Sequence, residues 1–74
     1  MTINIADVFP GLTRREREVC ALLMSGRSNK EIGPVLSISS RTVEDHKYSI
    51  YRRLGVESVG QLLWKAYGCP EIVA

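Results

Sequence analysis

Only residues 37–39 separate two predicted helices, at about 28–36 and 40–54. An apolar stripe with a period of about 3.6 residues runs along both helices and is formed by Ile32, Leu36, Val43, Ile50 and Leu54. Helices joined so closely must cross at a steep angle, and the apolar Ile38 is expected to pack the turn itself against the core. Gly33 falls where the two helices approach, and a residue without a side chain permits close contact there. These features are typical of a helix-turn-helix.

Capping residues mark where the helices begin and end. In a capping box, a hydroxyl accepts from the third following amide and a Glu or Gln at that position reaches back; the pattern occurs at Thr13–Glu16, Ser28–Glu31 and Ser58–Gln61. Ser39 or Ser40 is expected to cap the helix at 40–54. Glycines that can take the left-handed conformation follow three of the helices, at Gly26, Gly55 and Gly68. The sequence therefore predicts an all-α domain with four helices, at about 13–25, 28–36, 40–54 and 58–67.

One core is all that 74 residues can build, since so short a chain buries only about 60% of the surface that its unfolded form exposes. Besides the stripe above, the predicted core residues are Val19, Leu22, Leu23, Leu62 and Ala66. We expect residues 12–68 to form the domain, residues 1–11 an N-terminal arm or linker, and residues 69–74 a C-terminal tail. Within the arm, Ile5, Val8 and Phe9 either dock on the bundle or remain disordered.

Charge and hydropathy exclude several classes of protein. The net charge of +2 is small, but residues 27–53 hold six bases and three acids, so the positive excess lies in the middle of the chain. No segment approaches the roughly 20 apolar residues of a membrane span, and the first residues lack a basic stretch followed by an apolar run. We therefore expect a cytoplasmic protein that has no membrane partner.

Catalytic and metal sites are not predicted. His46 is the one histidine, and no cysteine or carboxylate cluster lies at ligand spacing, so we expect no metal, no cofactor and no enzyme activity. Cys20 lies beside the apolar stripe of the first helix and is expected to fill the core, whereas Cys69 is expected to be a reduced, exposed thiol. Three aromatic residues are expected to pack rather than to stack on a ligand, namely Tyr51, Trp64 and Tyr67.

The helix at 40–54 presents a polar face. With its apolar stripe turned inward, the side chains on the opposite side are those of Arg41, Asp45, Tyr48 and Arg52. Around this face lie Glu44 and Ser49 as flanking residues and Thr42 and His46 on one shoulder. An ordinary solvated surface is the alternative interpretation. Because a steeply presented helix with the hydroxyls of Ser39 and Ser40 at its N-terminus suits the major groove, double-stranded DNA is the favoured partner.

Four sequence blocks resemble the signatures of the LuxR-type, or NarL/FixJ/GerE-type, helix-turn-helix domain of bacterial transcription regulators. They are LTRREREV at 12–19, SNKEIG at 28–33, ISSRTVEDH at 38–46 and RRLGV at 52–56, in the family's order and spacing. The resemblance implies a four-helix, or tetrahelical, DNA-binding domain whose third helix enters the major groove and whose fourth commonly mediates dimerisation. It places backbone contacts on Lys30, Thr42 and His46, and base-reading roles on Glu44, Asp45 and Tyr48. The full candidate DNA-binding set is Lys30, Ser39, Ser40, Arg41, Thr42, Glu44, Asp45, His46, Tyr48, Ser49 and Arg52.

The chain departs from the family's pattern at several positions. The family usually has alanine followed by a polar residue where this chain has Gly33 and Pro34. Because Pro34 has no amide to donate to the Lys30 carbonyl and its ring crowds that carbonyl, we expect the second helix to be kinked or broken, at a cost of about 3 kcal/mol in a regular helix. Val59 replaces a common arginine and Ser49 a common asparagine, which affects the start of the fourth helix and one backbone contact.

The adjacent acids Glu44 and Asp45 have two interpretations. Facing DNA they repel phosphate, yet a carboxylate can accept a hydrogen bond from cytosine N4, so the two acids would favour C·G base pairs and penalise non-specific binding. Alternatively, Asp45 balances Arg41 or Arg52 on a free surface. The sequence leaves both interpretations open.

These features predict sequence-specific binding of double-stranded DNA by a bacterial transcription regulator, either stand-alone or as the output domain of a longer protein. A homodimer on DNA is expected, through a stripe that either makes this contact or completes the monomer core and consists of Val59, Leu63 and Tyr67. RNA polymerase and a missing regulatory domain are further candidate partners. One alternative is a helix-turn-helix module that binds another regulator. The other is a sigma-factor region-four domain, against which RRLGV followed by another capped helix argues.

Overall fold

The computed structural model describes residues 5–67. These residues form five helices and no strand, namely α1 (Ile5–Val8), α2 (Arg14–Met24), α3 (Asn29–Leu36), α4 (Ser40–Leu54) and α5 (Val59–Tyr67). The four predicted helices are present, each within one residue of its predicted bounds, and the all-α fold is confirmed. The helix stop predicted at Gly68, the thiol of Cys69 and the tail at 69–74 lie outside the described residues.

Two of the three predicted capping boxes are complete. The Thr13 hydroxyl accepts from the Glu16 amide at 3.1 Å and the Glu16 carboxylate accepts from the Thr13 amide at 2.9 Å. The box of Ser28 and Glu31 closes in the same way. At α5, Ser58 accepts from the Gln61 amide at 3.1 Å, but the Gln61 side chain accepts from the amide of Glu57 at 2.7 Å. The third box is therefore only half formed, because the glutamine side chain reaches one residue beyond the cap.

Two of the three predicted glycine stops, Gly26 and Gly55, end helices within the described residues. Gly26 and Gly55 have the positive φ values of 93° and 69° that end α2 and α4. At the end of α3 no glycine is present, and Ser37 takes the left-handed conformation with φ 59°. Among residues 5–67, Ser37 is the only residue other than glycine with a positive φ.

Ten apolar side chains form one core. They are Phe9, Leu12, Val19, Cys20, Leu23, Ile32, Val43, Ile50, Val56 and Leu62. The main packing contacts of α4 are with α2 and α3, while α1 and α5 rest on α2. Of the two alternatives for the N-terminal segment, the structure shows docking, since Phe9 is buried and Ile5 and Val8 pack against the core. The core thus begins three residues before Leu12.

The join between α3 and α4 is as close as the sequence predicts. A Cβ atom at Gly33 would lie 2.7 Å from the Ile38 carbonyl oxygen and 3.5 Å from the Ser40 amide nitrogen. The Ile38 amide donates to the Gly33 carbonyl at 2.9 Å, and the Ile38 side chain packs against the core. The backbone of the turn therefore rests directly on α3 at its glycine.

The break expected at Pro34 does not occur. Helix α3 continues through Pro34 to Leu36. Gly33 explains part of this, because the α conformation is disfavoured before a proline partly by a clash with the preceding Cβ, which glycine lacks. Pro34 is also exposed and is the sixth of the eight residues of α3, so only a short stretch of helix follows it. The glycine and the proline are compatible as a pair.

Candidate nucleic-acid interface

Helix α4 has one side in the core and the other in solvent. Val43 and Ile50 are fully buried, and Leu54 packs against the core, so the rotation of the helix about its axis is fixed. The opposite side, called the outer face below, is exposed and consists of Arg41, Glu44, Asp45, Tyr48 and Arg52. Tyr48 is 65% exposed, which is high for an aromatic side chain in a folded domain. The helix therefore presents an aromatic residue together with charged ones.

Packing within the described chain leaves the outer face open. A surface groove of about 740 Å³ runs along it, lined on α4 by side chains that include Arg41, Glu44, Tyr48 and Arg52. Val56 and Glu57, from the loop that follows α4, line the other side. An elongated partner can lie against this face without displacing any part of residues 5–67.

The N-terminus of α4 is capped by Ser39 rather than Ser40. The Ser39 hydroxyl accepts from the Thr42 amide at 3.1 Å and lies 2.9 Å from the Thr42 hydroxyl. Ser40 is the first helical residue and is exposed. The Ser39 and Thr42 hydroxyls therefore already have partners within the chain, and the free amides of the first turn are available to an anion.

A recess forms where the N-termini of α3 and α4 meet. It has a volume of about 280 Å³ and is lined by Asn29, Lys30, Ser40, Arg41 and Glu44. Lys30 and Arg41 are both exposed, so two cations and a helix N-terminus surround one small space. This arrangement suits a phosphate group. The sequence patterns do not single out Asn29, since its role depends on a residue fifteen positions away.

Several charged side chains on the outer face have internal partners. Arg41 Nε lies 3.8 Å from Asp45 Oδ1, an exposed ion pair of the kind that contributes little stability. Asn29 Nδ2 donates to Glu44 Oε2 at 3.5 Å, which is the outer limit for a hydrogen bond. The Arg52 guanidinium lies 5.8 Å from the centre of the Tyr48 ring, a cation–π distance. The geometry of Asp45 corresponds to its predicted balance with Arg41.

Three predicted DNA-contacting side chains are less accessible than the outer face, and one of them is the half-buried Thr42. His46 is half-buried on the shoulder of α4, as expected. Ser49 is also half-buried, and its hydroxyl is close enough to the Glu16 carboxylate to help lower the pKa of that group. The Ser49 hydroxyl therefore belongs to an internal network between α2 and α4.

That network centres on the buried carboxylate of Glu16. Burial raises the pKa of Glu16, but the hydrogen bond from the Thr13 amide, the charge of Arg53 and the Ser49 hydroxyl together hold it below its usual value. Arg53 Nε lies 3.6 Å from Glu16 Oε2, and Arg53 Nη1 donates to the Gly11 carbonyl at 3.1 Å. Arg53 thus connects the last turn of α4 with the segment before α2. The sequence gives no signal for this pair, because its members lie 37 positions apart.

Cys20 is a core residue, as predicted. Its side chain is fully buried, and burial raises the pKa of the thiol to about 11. The sulfur lies 3.8 Å from that of Met24. A thiol with so high a pKa stays protonated and unreactive at neutral pH.

The candidate dimerisation residues of α5 divide between the core and the surface. Val59 packs against the core, Leu63 is half-buried, and Tyr67 is 51% exposed. Trp64, which was expected to pack, is 36% exposed, so the expectation for Trp64 and Tyr67 was wrong, whereas Tyr51 does pack against the core. Both rings lie on the side of α5 away from Leu62, and both are exposed within residues 5–67.

Two further observations concern residues 5–67 as a whole. No group of three or more His, Cys, Asp or Glu side chains within this range is placed to hold a metal ion. None of the helices in the same range has the length and apolarity needed to cross a membrane.

The tight join of α3 and α4 and the exposed outer face define a helix-turn-helix domain. Comparison with known proteins identifies its family. The description "Bacterial regulatory proteins, luxR family" matches residues 10–66, more than half of the chain. The chain therefore belongs to the luxR family of bacterial regulatory proteins, and the resemblance stated from its four sequence blocks is confirmed.

Curated relatives carry names of regulatory proteins. The transcriptional regulatory protein MctR of Rhizobium johnstonii is 42% identical over 52 residues, which cover 70% of this chain and 24% of MctR. The oxygen regulatory protein NreC of Staphylococcus aureus is 42% identical over 62 residues, which cover 84% of this chain and 29% of NreC. The chain thus spans less than a third of the length of these relatives. No solved structure gives a significant match to the chain. The family and these names support the predicted class, DNA-binding regulation of transcription.

Proposed function

We propose that this chain binds double-stranded DNA sequence-specifically, as the DNA-binding module of a bacterial transcription regulator, with α4 in the major groove. The observation that carries the proposal is the outer face, an exposed surface on a helix whose other side is buried against α2 and α3. A major groove about 12 Å wide admits such a helix. Membership of the luxR family supports the same function.

Phosphate contacts are assigned to the recess at the start of α4. Lys30 and Arg41 supply the charges, and the exposed hydroxyl and amide of Ser40 supply hydrogen-bond donors. Thr42 and His46, half-buried on the shoulder, complete the backbone contacts that family membership implies. Base edges are read by the outer face, chiefly by Glu44 and Tyr48, with Arg52 beside them, while Asp45 pairs with Arg41.

Dimerisation on DNA is part of the proposal. A single domain makes few base contacts, and two copies on half-sites about one helical turn apart read twice as many. The exposed rings of Trp64 and Tyr67, with Leu63, form the apolar surface available for the contact. Because the chain spans less than a third of its relatives, a regulatory domain beyond this sequence and RNA polymerase are further proposed partners.

The test is a salt titration of DNA binding with one interface variant and one matched control. Lys30→Ala removes an exposed charge at the recess, and Arg14→Ala removes an exposed charge from the start of α2. We expect Lys30→Ala to weaken binding to all duplexes and to lower the slope of log K against log salt by about 1. Arg14→Ala should leave both unchanged. A folded wild-type protein that binds no duplex at low salt would instead support a module that binds another regulator.

A further inference from the structure

The two adjacent acids of the outer face differ in their surroundings. Asp45 Oδ1 lies 3.8 Å from Arg41 Nε and forms an exposed ion pair with it. Glu44 faces the neutral amide of Asn29, which comes from the other helix of the motif. An amide donor orients a carboxylate without cancelling its charge. Of the two acids, Glu44 is therefore the one that forms no ion pair among residues 5–67.

The contact with Asn29 also leaves Glu44 able to accept further hydrogen bonds. Asn29 Nδ2 approaches one oxygen, Oε2, and each carboxylate oxygen carries two lone pairs, so the group retains acceptor capacity. Glu44 is exposed and borders the recess of Lys30 and Arg41. A phosphate held in that recess would bring the N-terminal half of α4 to the groove floor, where such residues contact base edges.

The chemistry of the base edges decides which base a charged acceptor selects. In the major groove, guanine offers two acceptors and thymine offers an acceptor and a methyl group, so both repel or fail to bind a carboxylate. Adenine offers the N6 donor beside the N7 acceptor, which opposes a second carboxylate lone pair. Cytosine offers the N4 donor and no acceptor on its own major-groove edge. A carboxylate therefore prefers cytosine.

We propose that Asn29 is a positioning residue that holds the Glu44 carboxylate toward the N4 amino group of a cytosine. Each half-site would then carry a C·G pair at the position that Glu44 contacts. This inference rests on the proposed DNA binding. It assigns base selection to Glu44 and charge compensation of Arg41 to Asp45. Asn29, on the first turn of α3, thereby contributes to specificity without contacting DNA.

The experiment is a selection from randomised duplexes with the wild-type chain and three variants. Wild type should enrich cytosine at one position of each half-site by about tenfold. Glu44→Gln should move the preference at this position to adenine, because an amide supplies both a donor and an acceptor and pairs with N6 and N7. Asp45→Asn is the matched control, since it removes the same charge from the neighbouring residue, and it should keep the cytosine.

The role of Asn29 is measured separately. Asn29→Ala should lower the preference for cytosine about threefold, on the scale of one weakened hydrogen bond, and should leave the melting temperature and the affinity for random DNA unchanged. In the double variant with Glu44→Gln, Asn29→Ala should add nothing to the change in base preference. A merely structural role of Asn29 would instead lower the affinity for all duplexes and the melting temperature together.

A base analogue tests the hydrogen bond itself. Replacing the selected cytosine by 2-pyrimidinone removes the N4 amino group and should weaken wild-type binding about tenfold, with no effect on Glu44→Gln. An enriched motif without cytosine preference, or one that Asp45→Asn alters and Glu44→Gln does not, would overturn the inference and leave the proposed function standing. A selection that enriches no motif would overturn both.

Discussion

Gly33 shows how one missing side chain sets the distance between two helices. Its φ is ordinary for a helix, so space and not backbone conformation requires glycine. A methyl group at this position would meet a backbone oxygen of the turn first, and that oxygen cannot move aside by a rotamer change. The steric limit therefore acts on the turn itself.

Gly33→Ala should destabilise the domain by about 1–2 kcal/mol, because the strain of a misplaced methyl group outweighs the higher helix propensity of alanine. Urea unfolding measures the change. Gly60→Ala, in α5, is the matched control, since a Cβ there meets only the Ser58 hydroxyl at 3.7 Å; it should stabilise the domain by up to about 1 kcal/mol. Equal stabilisation by both variants would show that the turn relaxes to accept alanine, the residue usual in the family.

Ser37 is a second residue whose backbone matters more than its side chain. The left-handed conformation costs a residue with a Cβ about 1–2 kcal/mol, part of which is offset by the greater flexibility of glycine in the unfolded chain. Ser37→Gly should therefore raise the free energy of unfolding by about 0.5–1 kcal/mol. Ser25→Gly is the comparison, since Ser25 caps α2 with φ −83° and donates to the Leu22 carbonyl. If Ser25→Gly gains as much stability as Ser37→Gly, conformational strain at Ser37 is not the cause.

At the scale of the elements, α2 and α4 are joined by a buried polar link as well as by apolar packing. Glu16 completes the cap of α2, lies near the Ser49 hydroxyl of α4 and pairs with Arg53 at the end of α4. A carboxylate with this many donors is more stable charged than protonated, despite its burial. The orientation of α4 relative to α2 is therefore fixed at its C-terminal half by Glu16.

The lowered pKa of Glu16 makes this link dependent on pH. Because the folded pKa lies below the ordinary value of 4.5, the contribution of Glu16 to stability is complete above that value and is lost as the pH falls through the folded pKa. The free energy of unfolding of the wild type should therefore fall as the pH is lowered. Glu16→Gln should be less stable than the wild type at neutral pH, and its free energy of unfolding should fall less in acid. Urea unfolding at a series of pH values from 7 down to acidic pH measures the free energy of unfolding of both proteins. Glu18→Gln, at a half-buried glutamate outside this network, should keep the wild-type dependence on pH.

At the scale of the whole molecule, α5 carries two aromatic rings, those of Trp64 and Tyr67, that are exposed within residues 5–67. Trp64→Ser should reduce affinity for a duplex with two half-sites by about tenfold or more, because it removes the second, linked binding event. Affinity for a single half-site should not change. Val35→Ser alters an apolar side chain of similar exposure on α3 and is the control. Sedimentation of the wild-type complex should give two chains per duplex, and one chain per duplex would contradict the proposed dimer.

Local signals account for what the sequence predicted well. The helix bounds follow from Thr13, Ser28 and Gly55, each of which acts on its own neighbours in the chain. The close contact at Gly33 follows from the three-residue join. The outward direction of Tyr48 follows from the helical period alone. For these features the sequence positions nearly determine the geometry.

Long-range contacts account for what could not be predicted. Two contacts join residues from different helices, Glu16 with Arg53 and Asn29 with Glu44. The sequence spacing of these residues does not predict either contact. Whether a short apolar segment docks depends on the shape of a surface that forms only after folding. Periodicity therefore left the burial of Phe9 undecided.

The position of Phe9 has a practical meaning for anyone who shortens the chain. The part shared with the luxR family begins at residue 10, yet the Phe9 ring is only 4% exposed and lies among the core side chains. A fragment trimmed to residues 10–66 would leave a hole in its interior, and losing a buried phenylalanine costs about 3–5 kcal/mol. Thermal melting of that fragment beside one that starts at residue 5 would measure the loss. The luxR-family match, at residues 10–66, is therefore shorter than the folded domain, whose core includes Phe9.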